Sequence, residues 1–138
     1  MRPGLAAGST RTNRYAIGSD RTIPLMDEGL RVYATSSLVW DMEETCQQLL
    51  GEYLTDAENS LGERVEIDHI GPTPEGMWVD VVATVTDVVG RRVTFAAEIR
   101  DELDVVGRAK HVRFVVDLAR QRERLEARAA KLGQLKKG

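Results

Sequence analysis

The chain has 138 residues, of which 42% are hydrophobic and 30% are charged, and its formal net charge is −3. This length suits one domain with a real core and is short for two. No apolar run approaches the roughly 18 residues of a membrane span, and the first 15 residues lack the apolar core of a secretory signal. We therefore expect a single domain in a cytoplasmic protein.

Few residues in the chain favour metal or redox chemistry. A lone cysteine, Cys46, excludes an internal disulfide and a cysteine-built zinc site, and there are only two histidines. The sequence also lacks a Cys-x-x-Cys pair, a glycine-rich phosphate loop and a Gly-x-Ser-x-Gly elbow. We expect no cofactor and no metal.

Residues 1–10 are small and include glycines, which is typical of a flexible arm, and residues 11–18 could form a first strand. After Pro24, residues 25–30 (LMDEGL) indicate a loop. A helix is predicted next, because Thr35, Ser36 and Ser37 are good N-cap residues and helix formers follow them. Its apolar positions fall on one stripe of the helical wheel: Leu38, Met42, Cys46, Leu49, Leu50 and Tyr53.

Two adjacent carboxylates on this helix differ in position. Glu43 lies about 140° from Leu38, at the edge of the apolar stripe, whereas Glu44 lies at about 240° and is predicted to point to solvent. Glu43 is therefore the one that can face a cleft beside the core. Trp40, at about 200°, lies away from the stripe and needs another partner, which a subunit interface would supply.

Beyond Asn59 the hydrophobic period changes from helical to two, which predicts half-buried antiparallel strands at 65–69, 78–86, 93–100 and 105–117. Turn residues separate them at 71–76, at Gly90 and at 101–104. In the last strand, Gly107 and Ala109 are small enough to let a helix approach the sheet closely. One helix across four or five antiparallel strands predicts an α+β domain over residues 11–117.

From Leu118 onward, seven Lys and Arg residues accompany only Glu123 and Glu126, so this segment carries +5 and residues 1–117 carry −8. A basic segment could contact nucleic acid or a phosphorylated ligand, although mixed-charge helices are usually solvated. The aromatic residues that nucleic-acid sites interleave with basic ones are missing from it. We interpret 118–138 as a basic C-terminal helix or tail and expect neither a nucleic-acid nor a membrane partner.

Thr35, Glu43 and His69 form the candidate site, because a hydroxyl begins the predicted helix, a carboxylate follows two turns later and one of the chain's two histidines lies in the next predicted strand. Hydrolysis of an acyl group needs a group that attacks or directs water, a donor near the carbonyl oxygen and a proton source for the leaving group. A partly desolvated carboxylate and an imidazole that titrates near neutrality suit the first and last of these roles. Each residue also has an ordinary explanation, as an N-cap, a helix-surface carboxylate and a hydrogen-bonded strand residue.

Several motifs around these residues resemble the fluoroacetyl-CoA thioesterase family of hotdog-fold enzymes. They are Tyr33-Ala34-Thr35, Met42-Glu43 with Cys46, Ser60-Leu61-Gly62, His69, Thr73-Pro74-Glu75-Gly76 and the segment GRAKHVR at 107–113. The resemblance spans roughly residues 12–118. It implies a hotdog fold, in which an antiparallel sheet of about five strands wraps around one central helix, and an acyl-CoA substrate.

The resemblance also implies roles for individual residues. Thr35, Glu43 and His69 would be catalytic, with Glu43 as the base or nucleophile toward the acyl carbon and His69 assisting the departing thiolate. Gly62 would offer its backbone to the thioester oxygen, Arg113 would support the site electrostatically, and His111 would support the neighbouring residues. The site would lie across the interface of a homodimer, alone or within a tetramer.

Two other functions are considered. A catalytically silent hotdog module could bind acyl-CoA or another acyl ligand, but it would not need all three candidate residues. A hydratase or dehydratase would place an Asp–His pair near a helix start, which the context of Asp68 and His69 does not match.

One segment departs from the family pattern. The MDEGLR segment at 26–31 lacks the phenylalanine that the family's lid places before the Ala-Thr pair. We therefore expect a bulkier acyl group than fluoroacetyl, with its end near Val32, Tyr33 and the loop at 25–30.

Overall fold

The computed structural model describes residues 1–26 and 29–137. Its elements, in chain order, are β1 (Thr10–Ala16), a 3-10 turn (Ser19–Arg21), β2 (Thr22–Pro24), β3 (Arg31–Tyr33), α1 (Thr35–Gly51), β4 (Glu58–His69), β5 (Trp78–Val89), β6 (Arg92–Asp101), β7 (Val105–Asp117) and α2 (Leu118–Lys137). Five strands form one antiparallel sheet in the order β1-β5-β6-β7-β4, and β2 pairs with β3 separately. The α+β prediction is confirmed.

Helix α1 packs its apolar stripe against one face of this sheet. Its side chains Leu38, Met42, Cys46, Leu49 and Leu50 are fully buried, as the wheel predicts. Close approach depends on Gly107 of β7, because a Cβ there would lie 3.0 Å from Leu38 Cδ1. Truncating a buried side chain of this kind to alanine costs about 2–5 kcal/mol. The core therefore fixes the helix, and with it Thr35 and Glu43, relative to the strands.

Two predictions for α1 are wrong. The N-cap residue is Ala34, which has an extended backbone and no side-chain cap, and Thr35 is already the first helical residue. Glu44 does not simply point to solvent, since β1 runs beside it and the Tyr15 hydroxyl donates a hydrogen bond of 3.2 Å to its carboxylate. A wheel gives the direction of a side chain but not the strand that lies alongside.

Residues 25, 26, 29 and 30 of the predicted loop lie between the paired strands β2 and β3. A backbone hydrogen bond of 2.9 Å links Leu25 to Leu30, and both side chains are exposed. Within the predicted loop, residues 27 and 28 lie outside the described residues.

The first residues of the chain and helix α2 contact the domain in different ways. Arg2 N–H donates to the Tyr53 carbonyl at 2.6 Å, and Gly8 N–H donates to the Val85 carbonyl at 2.8 Å. By contrast, α2 extends from the end of β7 and none of its described residues is buried. No helix within residues 1–26 and 29–137 is long and apolar enough to cross a membrane.

Candidate active site

Strand β4 forms one edge of the sheet and holds two of the predicted residues. It pairs antiparallel with β7, so that Gly62 lies opposite Arg113 and His69 lies opposite Gly107. The register shifts between Gly62 and Arg64, which leaves Glu63 as a bulged residue. A bulge bends a strand and redirects neighbouring groups. Here it lies beside the glycine that faces Glu43.

Thr35 and His69 contact each other directly. The Thr35 hydroxyl lies 2.7 Å from His69 Nδ1, and the edge of the Tyr33 ring packs on the imidazole with centroids 6.1 Å apart. Burial lowers the pKa of His69, against the opposing effect of the nearby Gly71 backbone, so the ring is neutral at pH 7. Its Nε2 is buried and has no hydrogen-bond partner among the described residues. Since a buried polar atom without a partner is costly, this nitrogen is where a substrate or water is expected.

Glu43 lies in a second group, beside the bulge. Its Oε2 is 3.7 Å from Nη1 of Arg113. A Cβ at Gly62 would lie 3.1 Å from the same oxygen and 3.4 Å from Nη1 of Arg113. The absence of a side chain at Gly62 therefore leaves room for the carboxylate. Glu43 keeps 39% of its side chain exposed, whereas Arg113 keeps 6%.

Buried hydrogen bonds hold the Arg113 guanidinium. Its Nε donates to Ser60 Oγ at 2.8 Å and its Nη2 donates to the Ser60 carbonyl at 3.0 Å. Its Nη1 lies 3.1 Å from His111 Nε2, and His111 Nδ1 lies 2.8 Å from the Arg64 carbonyl. An arginine only donates, so Nε2 accepts and Nδ1–H donates to the carbonyl. Burial, and then the Arg113 charge, lower the pKa of His111, which favours this neutral ring.

The structure does not bring the three predicted catalytic residues together within one chain. Thr35 and Glu43 are eight residues apart on α1, about 12 Å at a rise of 1.5 Å per residue. His69 lies with Thr35, while Gly62, His111 and Arg113 lie with Glu43. Ser60 was not singled out, although it stands in the Ser-Leu-Gly motif two residues before Gly62, on the same side of the strand.

Asp41 is a further buried charge that sequence reasoning missed. It is 1% exposed, accepts a 2.6 Å hydrogen bond from the Tyr33 hydroxyl and lies 3.2 Å from Arg21 Nε. Burial raises its pKa, against the opposing effects of those two partners. The network ties α1 to the hairpin and fixes the start of the helix. At about 60° from Leu38 on the wheel, Asp41 could have been recognised as core-facing.

In the described part of the chain, no three His, Cys, Asp or Glu side chains lie close enough together to bind a metal ion. The chemistry available comes from an imidazole, a carboxylate, a hydroxyl, a guanidinium and the backbone of Gly62.

Solved structures of a thioesterase superfamily member and of a hotdog-like protein share this architecture. A thioesterase superfamily member from Thermus thermophilus matches with a TM-score of 0.85 and 26% identity, covering 98% of this chain and 99% of that one. A hotdog-like protein from Thermanaerovibrio acidaminovorans matches with a TM-score of 0.81 and 23% identity, over 92% and 93% of the two chains. The protein is a hotdog-fold member of the thioesterase class.

The sequence comparisons identify one particular family within the thioesterase class. The model of the fluoroacetyl-CoA-specific thioesterase family matches residues 17–119. The fluoroacetyl-CoA thioesterase of Streptantibioticus cattleyicolor is 30% identical over an alignment of 125 residues, and the alignment covers 86% of this chain and 90% of that protein. A solved fluoroacetyl-CoA thioesterase superposes with a TM-score of 0.81 and 28% identity, over 90% of this chain and 97% of that one. The chain belongs to this family of thioester hydrolases, as its motifs predict.

Proposed function

We propose that the protein hydrolyses an acyl-CoA thioester to the free acid and coenzyme A, with Thr35, Glu43 and His69 as catalytic residues. Family membership supports the reaction class. The observation that most supports the residue assignment is the unpartnered, buried Nε2 of His69, whose other ring nitrogen is held by Thr35. A nitrogen oriented in this way suits proton transfer to a bound ligand.

Each group has a definite part in the proposed reaction. Glu43 either removes a proton from the attacking water or attacks the acyl carbon itself and gives an anhydride that water then opens. The Gly62 backbone donates to the oxygen that becomes negative as the carbonyl is attacked. When the carbon–sulfur bond breaks, the sulfur takes the electron pair, and the proton released by the water reaches it through Nε2 of His69. Arg113 stabilises the negative charge beside Glu43.

A homodimer would complete this site. On a single chain, Glu43 lies about 12 Å along α1 from Thr35. Strand β4 is an edge strand with Leu61 and Val65 exposed by 53% and 37%, and Trp40 on α1 is 70% exposed. Antiparallel pairing of two β4 strands about an axis near Val65 would bring the Glu43 end of one protomer toward the His69 end of its partner. The proposed assembly is in the cytoplasm, and no nucleic acid or membrane takes part.

The acyl group is proposed to be larger than fluoroacetyl. Its end would lie near Val32, Tyr33 and the hairpin loop at 25–30, where no phenylalanine occurs in the sequence. Exposed Leu25 and Leu30 offer apolar surface on either side of that loop.

A panel of acyl-CoA substrates with spectroscopic detection of free thiol tests the function. We expect thiol release with at least one member, and loss of release in the Glu43→Gln variant. Calorimetry on the same panel measures binding separately. Saturable binding of an acyl-CoA without any thiol release would reject the enzyme and favour the silent acyl-binding module.

A further inference from the structure

The β4 bulge is tied to β7 by side chains on both sides of Glu63. Before the bulge, Arg113 Nη2 donates to the Ser60 carbonyl at 3.0 Å. After it, His111 Nδ1 lies 2.8 Å from the Arg64 carbonyl. Arg113 and His111 also bond each other at 3.1 Å. The four residues Ser60, Arg64, His111 and Arg113 therefore form one continuous connection around the bulge, which we call the brace.

The brace is buried and strongly directional. Arg113, His111 and Ser60 are 5%, 1% and 3% exposed. A guanidinium is planar with donors in a fixed fork, so bonds at Nε, Nη1 and Nη2 leave it one orientation. In that orientation Nη1 is also the atom 3.7 Å from Glu43 Oε2. The brace thus fixes the Arg113 guanidinium, which lies next to Glu43, relative to Gly62.

We propose that Ser60 and His111 are positioning residues for the hydrolysis, because they hold the Arg113 guanidinium and the bulge so that Gly62 and Glu43 face the same reacting group. This inference rests on the proposed function. Neither side chain touches the substrate in this scheme. His111 fulfils its part only as the neutral ring with the proton on Nδ1, because the opposite tautomer would place an N–H against the Arg113 donor.

Such a role predicts a loss in turnover rather than in substrate affinity. A displacement of about 1 Å of catalytic groups lowers rates by up to about a hundredfold. Ser60→Ala removes the acceptor for Arg113 Nε, whereas Ser60→Thr keeps a hydroxyl in a residue type that strands accommodate. His111→Leu removes both ring nitrogens, whereas His111→Gln keeps an amide that can accept from Arg113.

The control is another buried hydroxyl that accepts a hydrogen bond from an arginine. Thr22 Oγ1 accepts a 2.8 Å hydrogen bond from Arg31 Nε, the same distance as from Arg113 to Ser60, but it lies in the β2–β3 hairpin. Thr22→Val removes that acceptor with little change in shape. We expect kcat to fall about tenfold or more in Ser60→Ala and His111→Leu with KM within about threefold of wild type. Ser60→Thr and His111→Gln should recover part of kcat, and Thr22→Val should keep it.

A second measurement does not depend on activity. Nitrogen-15 spectra of the wild-type histidine rings should show His111 protonated on Nδ1 and unprotonated on Nε2 at pH 7. Protonation on Nε2 would overturn the brace. An active wild type whose Ser60→Ala variant loses melting temperature but keeps kcat would overturn the positioning role alone. A wild type that hydrolyses no acyl-CoA would instead overturn the proposed function itself.

Discussion

The Thr35 hydroxyl and His69 Nδ1 lie 2.7 Å apart, although 34 residues separate them in sequence. This bond joins the first residue of the central helix to the last residue of the edge strand. Because Thr35 does not cap its helix, its hydroxyl is free to fix the orientation of the imidazole.

A double-mutant cycle tests this pair. Thr35→Ala and His69→Ala should each lower kcat, and the double variant should lose little more than the worse single variant, since coupled groups are not additive. Thr35→Ser, which keeps the hydroxyl, should retain most of the activity. The melting temperature should change little, because a single hydrogen bond contributes about 0.5–1.5 kcal/mol. Fully additive losses in kcat would show that the two residues act independently.

Glu43→Gln should lower kcat about a hundredfold or more, the scale of general acid–base terms, because an amide neither accepts the proton of water nor attacks the acyl carbon. Glu44→Gln is the matched control on the same helix. Its carboxylate accepts from Tyr15 on the β1 side, away from Gly62, so activity should persist. Steady-state kinetics on one substrate compare the two. If Glu44→Gln lowered kcat as much as Glu43→Gln does, the assignment of the chemistry to Glu43 would be wrong.

Stability should fall as the pH falls from about 7 to 5.5. Burial lowers the pKa of both His69 and His111 below the usual value of 6.5. In that window these two histidines bind more protons in the unfolded chain than in the folded one, so their titration favours unfolding in acid, by at most about 1.4 kcal/mol per pH unit for each. Urea denaturation at the two pH values measures the slope. His111→Gln should reduce that slope, and an unchanged slope would contradict the role of this ring.

Two inactive variants should restore activity when they are combined. If each site takes Glu43 from one protomer and His69 from the other, a heterodimer of Glu43→Gln and His69→Ala chains holds one intact site. Mixing the chains under conditions of subunit exchange should then recover measurable turnover, whereas each variant alone stays inactive. A stable dimer should bury more than about 1,000 Å². A fully active monomer of 15.3 kDa in dilute sizing runs would contradict the shared site.

Substrate preference should favour longer acyl chains. When two substrates differ by one small substituent, an apolar pocket separates their activation free energies by only about 1–3 kcal/mol. Even that difference needs a tight pocket from which water is excluded. We expect a higher kcat/KM for butyryl-, hexanoyl- or phenylacetyl-CoA than for acetyl- or fluoroacetyl-CoA. Steady-state measurement of kcat/KM for these five substrates tests the preference. A strong preference for fluoroacetyl-CoA would show that selectivity in this chain does not need the phenylalanine.

Sequence patterns identified the α+β class because the helical stripe and the alternating strands are local patterns, whereas the hotdog fold was implied by the family resemblance. The last strand, 105–117, has the predicted bounds, and Gly107 lets the helix approach the sheet closely, as expected. The motifs also directed attention to Thr35, Glu43 and His69, but a pattern along the chain does not give the distance between residues on different elements. The pairing of Thr35 with His69, and of Glu43 with Arg113, depends on the register between β4 and β7.

The short β2–β3 hairpin and the buried Asp41 escaped prediction for a related reason. Three-residue strands give no usable alternation, and a carboxylate is assigned to the surface unless its partners are known. Those partners, Tyr33 and Arg21, come from the hairpin and the turn before it. Prediction therefore failed where distant residues decide the local structure.

The exposed edge of β4 also affects how the protein behaves in solution. Until a partner protomer covers it, this strand of 12 residues presents a row of backbone groups to which any extended chain can add, and natural proteins limit this hazard with charges along the edge. Glu63 and Arg64 place such charges between the apolar residues Leu61 and Val65, and Glu66 and Asp68 place them between Val65 and the end of the strand. Substitutions that neutralise them should promote aggregation even where catalysis is untouched, so the solubility of the chain and its active site depend on the same strand.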